Sequence, residues 1–236
     1  MLPRQDESPA FTTLCLVGLL VRFVFIGYGV WHDTHHMLKY TDVDYFVFSD
    51  ATHFLLHPSP DNHAAGPLGK LLPLGNPFSR ATYRYTPLLS LLLAPNALHP
   101  LWGKLLFSIA DVGICILLNR MLLLQRQQHN AKLVVSIAWL FNPMPINIAT
   151  RGSSEALLGL LVLACLYAAL KQKWSTCAAL LGAATHFKIY PVIYAVSLIV
   201  HLAHGDLRQI VSKRTVRFGC EAFSVFMALN LAMYLL

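Results

Sequence analysis

Phe11-Thr-Thr-Leu-Cys-Leu-Val-Gly-Leu-Leu-Val-Arg22-Phe-Val-Phe-Ile-Gly-Tyr-Gly-Val30 decides the fold class. It is a run of about 20 residues broken by one charge, Arg22, and at 1.5 Å per residue it matches a hydrocarbon core of roughly 30 Å. It is too long for the apolar region of a cleaved leader, and Trp31-His32-Asp33 offers no small-residue cleavage site, so it reads as an uncleaved signal anchor.

The rest of the chain repeats the pattern. Hydrophobic stretches cover 86–98, 101–124, 133–149, 156–170, 174–204 and 216–236. The 236 residues are 56% hydrophobic and 12% charged, with a mean hydropathy of +0.55. Soluble domains carry about twice that charge. The expectation is an all-α polytopic membrane protein with no internal repeat and no soluble domain. The last stretch runs into Leu235-Leu236 without a polar tail, as the front part of a longer chain would. Cys15, Cys115, Cys165, Cys177 and Cys220 all lie inside apolar stretches, which excludes a disulfide framework or a zinc spacing. The net charge of +7 is spread over short loops rather than gathered on one soluble surface, so it reports topology and not a nucleic-acid partner.

Sidedness follows from the basic residues. With the N-terminus cytosolic, the loop 31–85 is exoplasmic. Segment 86–98, about 13 residues and interrupted by Pro87 and Pro95, reads as a short piece that does not cross. The loops 120–132 (Arg120, Arg126, Lys132), 171–173 (Lys171, Lys173) and 205–217 (Arg208, Lys213, Arg214, Arg217) then share the cytosolic side. Four polar clusters fall on the exoplasmic side: Asp42/Asp44, Arg80 to Tyr85, Arg151 to Glu155, and His186 to Pro191.

Within the loop 31–85, residues 42–56 are amphipathic enough for an interfacial helix, whereas 57–79, rich in Pro and Gly, reads as irregular. Asp42 and Asp44 would point to one side of an extended segment; in a helix they would diverge. Thr41-x-x-Asp44 is also capping-box-like, with acids in a first turn. The two readings are compatible, because a carboxylate at a helix start can still face a substrate.

Arg80 and Arg84 can fork onto phosphate, and Tyr83 and Tyr85 can stack on sugars; interfacial anchoring explains the same residues. Asn142-Pro-Met-Pro145 breaks a helix, after which Ser153 or Ser154 caps a new one near Glu155 and Arg151 meets an anion or solvent. In His186-Phe-Lys188-Ile-Tyr190-Pro191, Lys188 either snorkels to the interface or binds an anion. Asp111 needs a partner at mid-helix depth, and Arg22 can supply it as a structural ion pair.

Taken together, Tyr40-Thr-Asp-Val-Asp-Tyr-Phe-Val-Phe-Ser-Asp-Ala51, Arg80-Ala-Thr-Tyr-Arg-Tyr-Thr-Pro-Leu-Leu89, Asn142-Pro-Met-Pro145, Arg151-Gly-Ser-Ser154 and His186-Phe-Lys-Ile-Tyr-Pro191 resemble the PIG-M family, the catalytic subunits of glycosylphosphatidylinositol (GPI) mannosyltransferase I. The matches run in the family's order across nearly the whole chain. The resemblance implies a single GT-C-type membrane domain over 1–236, corresponding to the N-terminal portion of the family. It also implies a large first luminal loop, 31–85, that carries the D-x-D motif.

The implied reaction moves the first mannose from dolichol-phosphate-mannose to glucosaminyl-(acyl)phosphatidylinositol in α1,4 linkage, at the luminal face of the endoplasmic reticulum. It is an inverting displacement with Asp42 or Asp44 as base, Asp42 ahead. Arg80, Tyr83, Arg84, Tyr85, Arg151, His186, Lys188 and Tyr190 are the expected substrate and lipid-phosphate contacts. No cofactor and no metal are expected. The implied partner, besides the bilayer, is a small accessory membrane subunit of the PIG-X/Pbn1 type. The chain departs from the family in a Pro- and Gly-rich insertion around 58–74 and in covering only the N-terminal half. The alternatives are another GT-C transferase using a polyprenyl-phosphate sugar, a transporter, and an inactive truncated GPI-pathway membrane protein.

Overall fold

The computed structural model describes residues 9–125 and 131–236, and every regular element among them is helical. Arg126, read as part of a basic loop, and the first eight residues lie outside the described part. In chain order the α-helices are α1 (Pro9–His35), α2 (Val43–Leu56), α3 (Pro67–Leu71), α4 (Pro87–Leu92), α5 (Trp102–Leu124), α6 (Ala131–Val135), α7 (Pro143–Arg151), α8 (Glu155–Leu170), α9 (Trp174–Phe187), α10 (Ile193–Leu202) and α11 (Lys213–Leu235). Among the described residues α1, α5 and α11 are long and apolar enough to cross a membrane, and the bent pair 131–140 plus 143–151 is a fourth if counted as one span. The chain is an all-α membrane protein. Segment 86–98 is the short helix α4 followed by a 3-10 turn, Ala94–Ala97, consistent with a piece that does not cross.

The described residues divide into two compact units, one formed by 9–45 with 101–163 and the other by 46–100 with 164–236. The first is built on α1, α5 and α7. Phe11, Cys15, Val112, Cys115, Val135 and Leu140 form its apolar core. Arg22 and Asp111 meet within it with side chains 0% and 3% exposed, as expected from the sequence. Arg22 Nε and Nη2 donate to Asp111 Oδ2 at 2.8 and 2.5 Å, and Trp139 Nε1 donates to Asp111 Oδ1 at 3.0 Å. Buried charge is tolerated when its partners are present.

The break before α7 explains a further bond of that arginine, besides those to Asp111 and to the Gly18 carbonyl. A π-helical turn, Ser136–Leu140, ends at Asn142, whose side chain caps α7 by accepting from Met144 N–H at 3.0 Å. Residue 145 is proline and has no N–H. The Leu140 carbonyl therefore lacks its usual main-chain donors, and Arg22 Nη1 supplies one at 3.0 Å. The axis bends by 49° at this point.

In the second unit α9 and α11 pack closely. A Cβ on Gly182 would collide with the Ala222 carbonyl, so glycine sets their approach. Cys165, Cys177, Leu181, Leu198, Leu202 and Phe218 contribute to the apolar core there. The Pro- and Gly-rich stretch is more ordered than its composition indicates. Buried Asn62 donates to the Phe54 carbonyl at 2.7 Å and accepts from Asn76 N–H at 3.0 Å and from the Ser79 hydroxyl at 2.6 Å. One buried amide thereby ties both ends of the loop. Lys213, Arg214 and Arg217, read as loop residues, instead form the first turns of α11, which Ser212 caps.

Candidate functional site

The first unit holds Asp42, Asp44 and Arg151. The segment 36–42 between α1 and α2 has no regular structure of its own, so its position depends on what it is bonded to. Asp42 is the residue just before α2, and its side chain accepts a long bond, 3.4 Å, from Asp44 N–H. Asp44 lies in the first helical turn. The pair therefore marks a helix start, not an extended strand. The expected Thr41 cap is not what forms: the Thr41 hydroxyl donates to the Asp33 carboxylate and accepts from Lys104 Nζ.

α7 supplies the seat for the pair. It ends in a Schellman motif, with Gly152 at φ 97°, Gly152 N–H on the Ala149 carbonyl and Ser153 N–H on the Ile148 carbonyl. The Arg151 carbonyl at that end accepts from Asp42 N–H at 2.9 Å. Arg151 Nε returns a bond to the Tyr40 carbonyl at 2.9 Å, and the Tyr40 and Thr150 hydroxyls bond at 2.7 Å. Burial pushes the Tyr40 phenol above its ordinary pKa, so it stays protonated. Ser153 accepts from Glu155 N–H at 3.4 Å, the serine capping expected from the sequence.

The second unit holds Arg80, Tyr83, Arg84, Tyr85, His186, Lys188 and Tyr190. A groove of about 800 Å³ runs between the 83–87 segment, the end of α9 and one face of α11. Arg84, Tyr85, Lys188 and Tyr190 line it, with Asn230 opposite them. The Thr86 hydroxyl bonds His186 Nε2 at 2.8 Å, joining the two motifs that the sequence singled out separately. Lys188 Nζ sits 5.6 Å from the centre of the Tyr85 ring, a cation–π distance. Such a groove can hold an anion beside a sugar or a lipid headgroup.

Tyr83 also lines the groove but is held within the fold, and Arg80 is engaged elsewhere. Tyr83 is 0% exposed; its hydroxyl donates to the Thr86 carbonyl at 2.7 Å and accepts from Ser90 at 2.9 Å. Burial holds its pKa up at about 12. It supports the groove wall. Arg80 pairs with Asp50 at 2.9 Å, as an ion pair rather than an aligned hydrogen bond, and is not among the groove's lining residues.

A family model described as "Mannosyltransferase (PIG-M)" matches residues 148–236, which include Arg151, His186, Lys188 and Tyr190. Relatives extend the match towards the N-terminus. A "GPI mannosyltransferase 1" of Gibberella zeae is 36% identical over 98% of this chain and 54% of its own length. The chain belongs to the PIG-M mannosyltransferase family. Further PIG-M relatives are a "GPI alpha-1,4-mannosyltransferase I, catalytic subunit" of Danio rerio, 38% identical over 91% of this chain and 53% of its own, and a "GPI mannosyltransferase 1" of Schizosaccharomyces pombe, 36% identical over 92% and 56%. The chain spans about half the length of these curated PIG-M relatives.

Sequence reasoning missed Asp33, Tyr40, Thr86, Lys104 and Thr150 as site builders. Lys104 had a signal. It lies in the same apolar stretch as Asp111, and the rule that an intramembrane charge needs a partner applies to both. Tyr40 and Thr86 stand inside the blocks that carry the family likeness without a role of their own being legible there, and Asp33 and Thr150 are ordinary polar residues that no local pattern marks.

Proposed function

We propose that this chain carries the acidic pair and a phosphate-binding groove of a GPI mannosyltransferase I. The enzyme transfers mannose from dolichol-phosphate-mannose to glucosaminyl-(acyl)phosphatidylinositol in α1,4 linkage. It is of GT-C type and works at the luminal face of the endoplasmic reticulum, with an accessory subunit of the PIG-X/Pbn1 type.

One carboxylate, Asp42 ahead of Asp44, takes the proton of the acceptor hydroxyl as its oxygen attacks the anomeric carbon. The bond from that carbon to the phosphate oxygen breaks, and dolichyl phosphate leaves with the electron pair. A single displacement inverts the centre, so one base suffices. Arg84 and Lys188 hold phosphate in the groove, Tyr85 and Tyr190 border it, and Arg151 braces the acidic pair. The observation that supports this reading is the pair of hydrogen bonds between the 40–42 segment and the end of α7, since a general base needs a fixed position.

Complementation of cells lacking the mannosyltransferase tests it. Restored surface GPI proteins, lost with Asp42→Ala, is the expected result. Lys188→Gln should raise the KM for dolichol-phosphate-mannose by about tenfold, the worth of one charge-assisted bond. If Asp42→Ala retains full transfer, the assignment of the base fails. If the chain restores transfer with a different polyprenyl-phosphate sugar only, the substrate assignment fails.

A further inference from the structure

Lys104 is the least expected residue beside the acidic pair. It stands in the first turn of α5 and is 2% exposed. A buried ammonium is costly unless it is hydrogen-bonded. Its Nζ donates to Thr41 Oγ1 at 2.6 Å and lies 5.5 Å from the centre of the Tyr45 ring. Those contacts fall on either side of Asp42 and Asp44, so one cation brackets the stretch that carries both carboxylates.

Thr41 passes the interaction on. Its hydroxyl accepts from Lys104 and donates to the Asp33 carboxylate at the end of α1. Asp33 also accepts from Tyr40 N–H at 2.5 Å and from Thr41 N–H at 3.3 Å. Only a group that donates and accepts at once can stand between an ammonium and a carboxylate in this way. Valine has the shape and lacks both functions. The α1 and α5 ends therefore hold residues 40 and 41, while the end of α7 holds residues 40 and 42.

We propose that Asp33, Thr41 and Lys104 form a positioning relay that sets the place of the catalytic carboxylate for transfer. The proposal rests on the reading of Asp42 or Asp44 as the general base. The relay touches no substrate and acts through the backbone of residues 40–42. Displacing a reacting group by about 1 Å costs up to a hundredfold in rate, so losing the relay lowers kcat and leaves donor affinity alone.

The test measures mannosyl transfer in microsomes from cells expressing the full-length gene product with its accessory subunit, normalised to its abundance. Thr41→Val and Lys104→Met should each lower kcat by about tenfold or more with the donor KM within about twofold of wild type. Thr41→Ser, which keeps the hydroxyl, should retain kcat within about twofold. Asp42→Asn reports on the base and should abolish transfer. If Lys104→Met does not accumulate, the comparison of Thr41→Val with Thr41→Ser decides alone. Equal kcat for those two variants, with Asp42→Asn inactive, overturns the relay and leaves the base standing. A loss in Thr41→Val that appears only in KM, or only as reduced abundance, overturns it as well. An active Asp42→Asn together with an inactive Asp44→Asn moves the base to Asp44, whereas activity in both removes the reading on which the relay rests.

Discussion

Asp42 and Arg151 are joined through the main chain: the Asp42 N–H donates to the Arg151 carbonyl at 2.9 Å, while Arg151 Nε donates to the carbonyl of Tyr40, two residues before Asp42. A helix end thus grips an otherwise irregular segment at two points. Arg151→Met should remove one of them and lower transfer by about tenfold or more at unchanged abundance. Arg151→Lys should recover only part of that, because a point ammonium does not reproduce a donor fixed in the guanidinium plane. Initial rates in microsomes, matched for protein, check both; full activity in Arg151→Met would sink the bracing role.

Gly152 allows α7 to end where it does. At φ 97° an L side chain is strained by roughly 1–2 kcal/mol, and a Cβ there would strike the Tyr45 ring. Gly152→Ala should therefore lower the unfolding temperature and, by displacing Tyr45, disturb the neighbouring acidic pair. Thermal unfolding in detergent together with transfer assays should show both effects; a variant as stable and active as wild type contradicts the tight approach.

The Arg22–Asp111 pair should behave as a unit. Asp111→Ala leaves a buried guanidinium without its counter-charge, at a cost of about 3–5 kcal/mol. Arg22→Leu combined with Asp111→Leu removes both charges and should regain most of the loss. The expected order in thermal unfolding is wild type, then the double variant, then Asp111→Ala. A double variant worse than the single one would show that the bonds to Gly18 and Leu140, not the pairing, make Arg22 indispensable.

Tyr83 predicts an alkaline instability. In the unfolded chain its phenol ionises near 10, whereas burial keeps it protonated until about 12. The folded state binds the extra proton between those values, so this contribution is complete below pH 10 and is lost as pH rises through 12. Stability falls across that window by up to about 1.4 kcal/mol per pH unit. Tyr83→Phe should start less stable, having lost the bonds to Thr86 and Ser90, and decline less steeply. Unfolding followed from pH 9 to 12 gives the two slopes; parallel curves would contradict the assignment.

Much of this is written locally in the chain. The long apolar runs around Arg22 and Asp111, the proline break at 142–145, the helix at 43–56 and the short piece after Thr86 follow from composition, length and proline chemistry alone. The Arg22–Asp111 pairing was also legible, because two opposite charges at membrane depth have few other solutions. The sequence pointed to Asp42, Asp44, Arg151 and Lys188 through charge, position and family likeness. It misread Thr41 as a helix cap, since a capping pattern says nothing of a distant lysine that competes for the same hydroxyl.

Sequence by itself determined a helical membrane protein of the PIG-M family and the residue types available for its chemistry, because hydrophobic length and motif identity are local properties. Only the tertiary structure decided that Asp42 hangs on the carbonyl of Arg151, that Thr41 stands between Asp33 and Lys104, and that Thr86 meets His186. Each of these is a hydrogen bond between residues far apart in the chain or in separate elements. Its existence depends on where helix ends come to rest, and no spacing in the sequence encodes that.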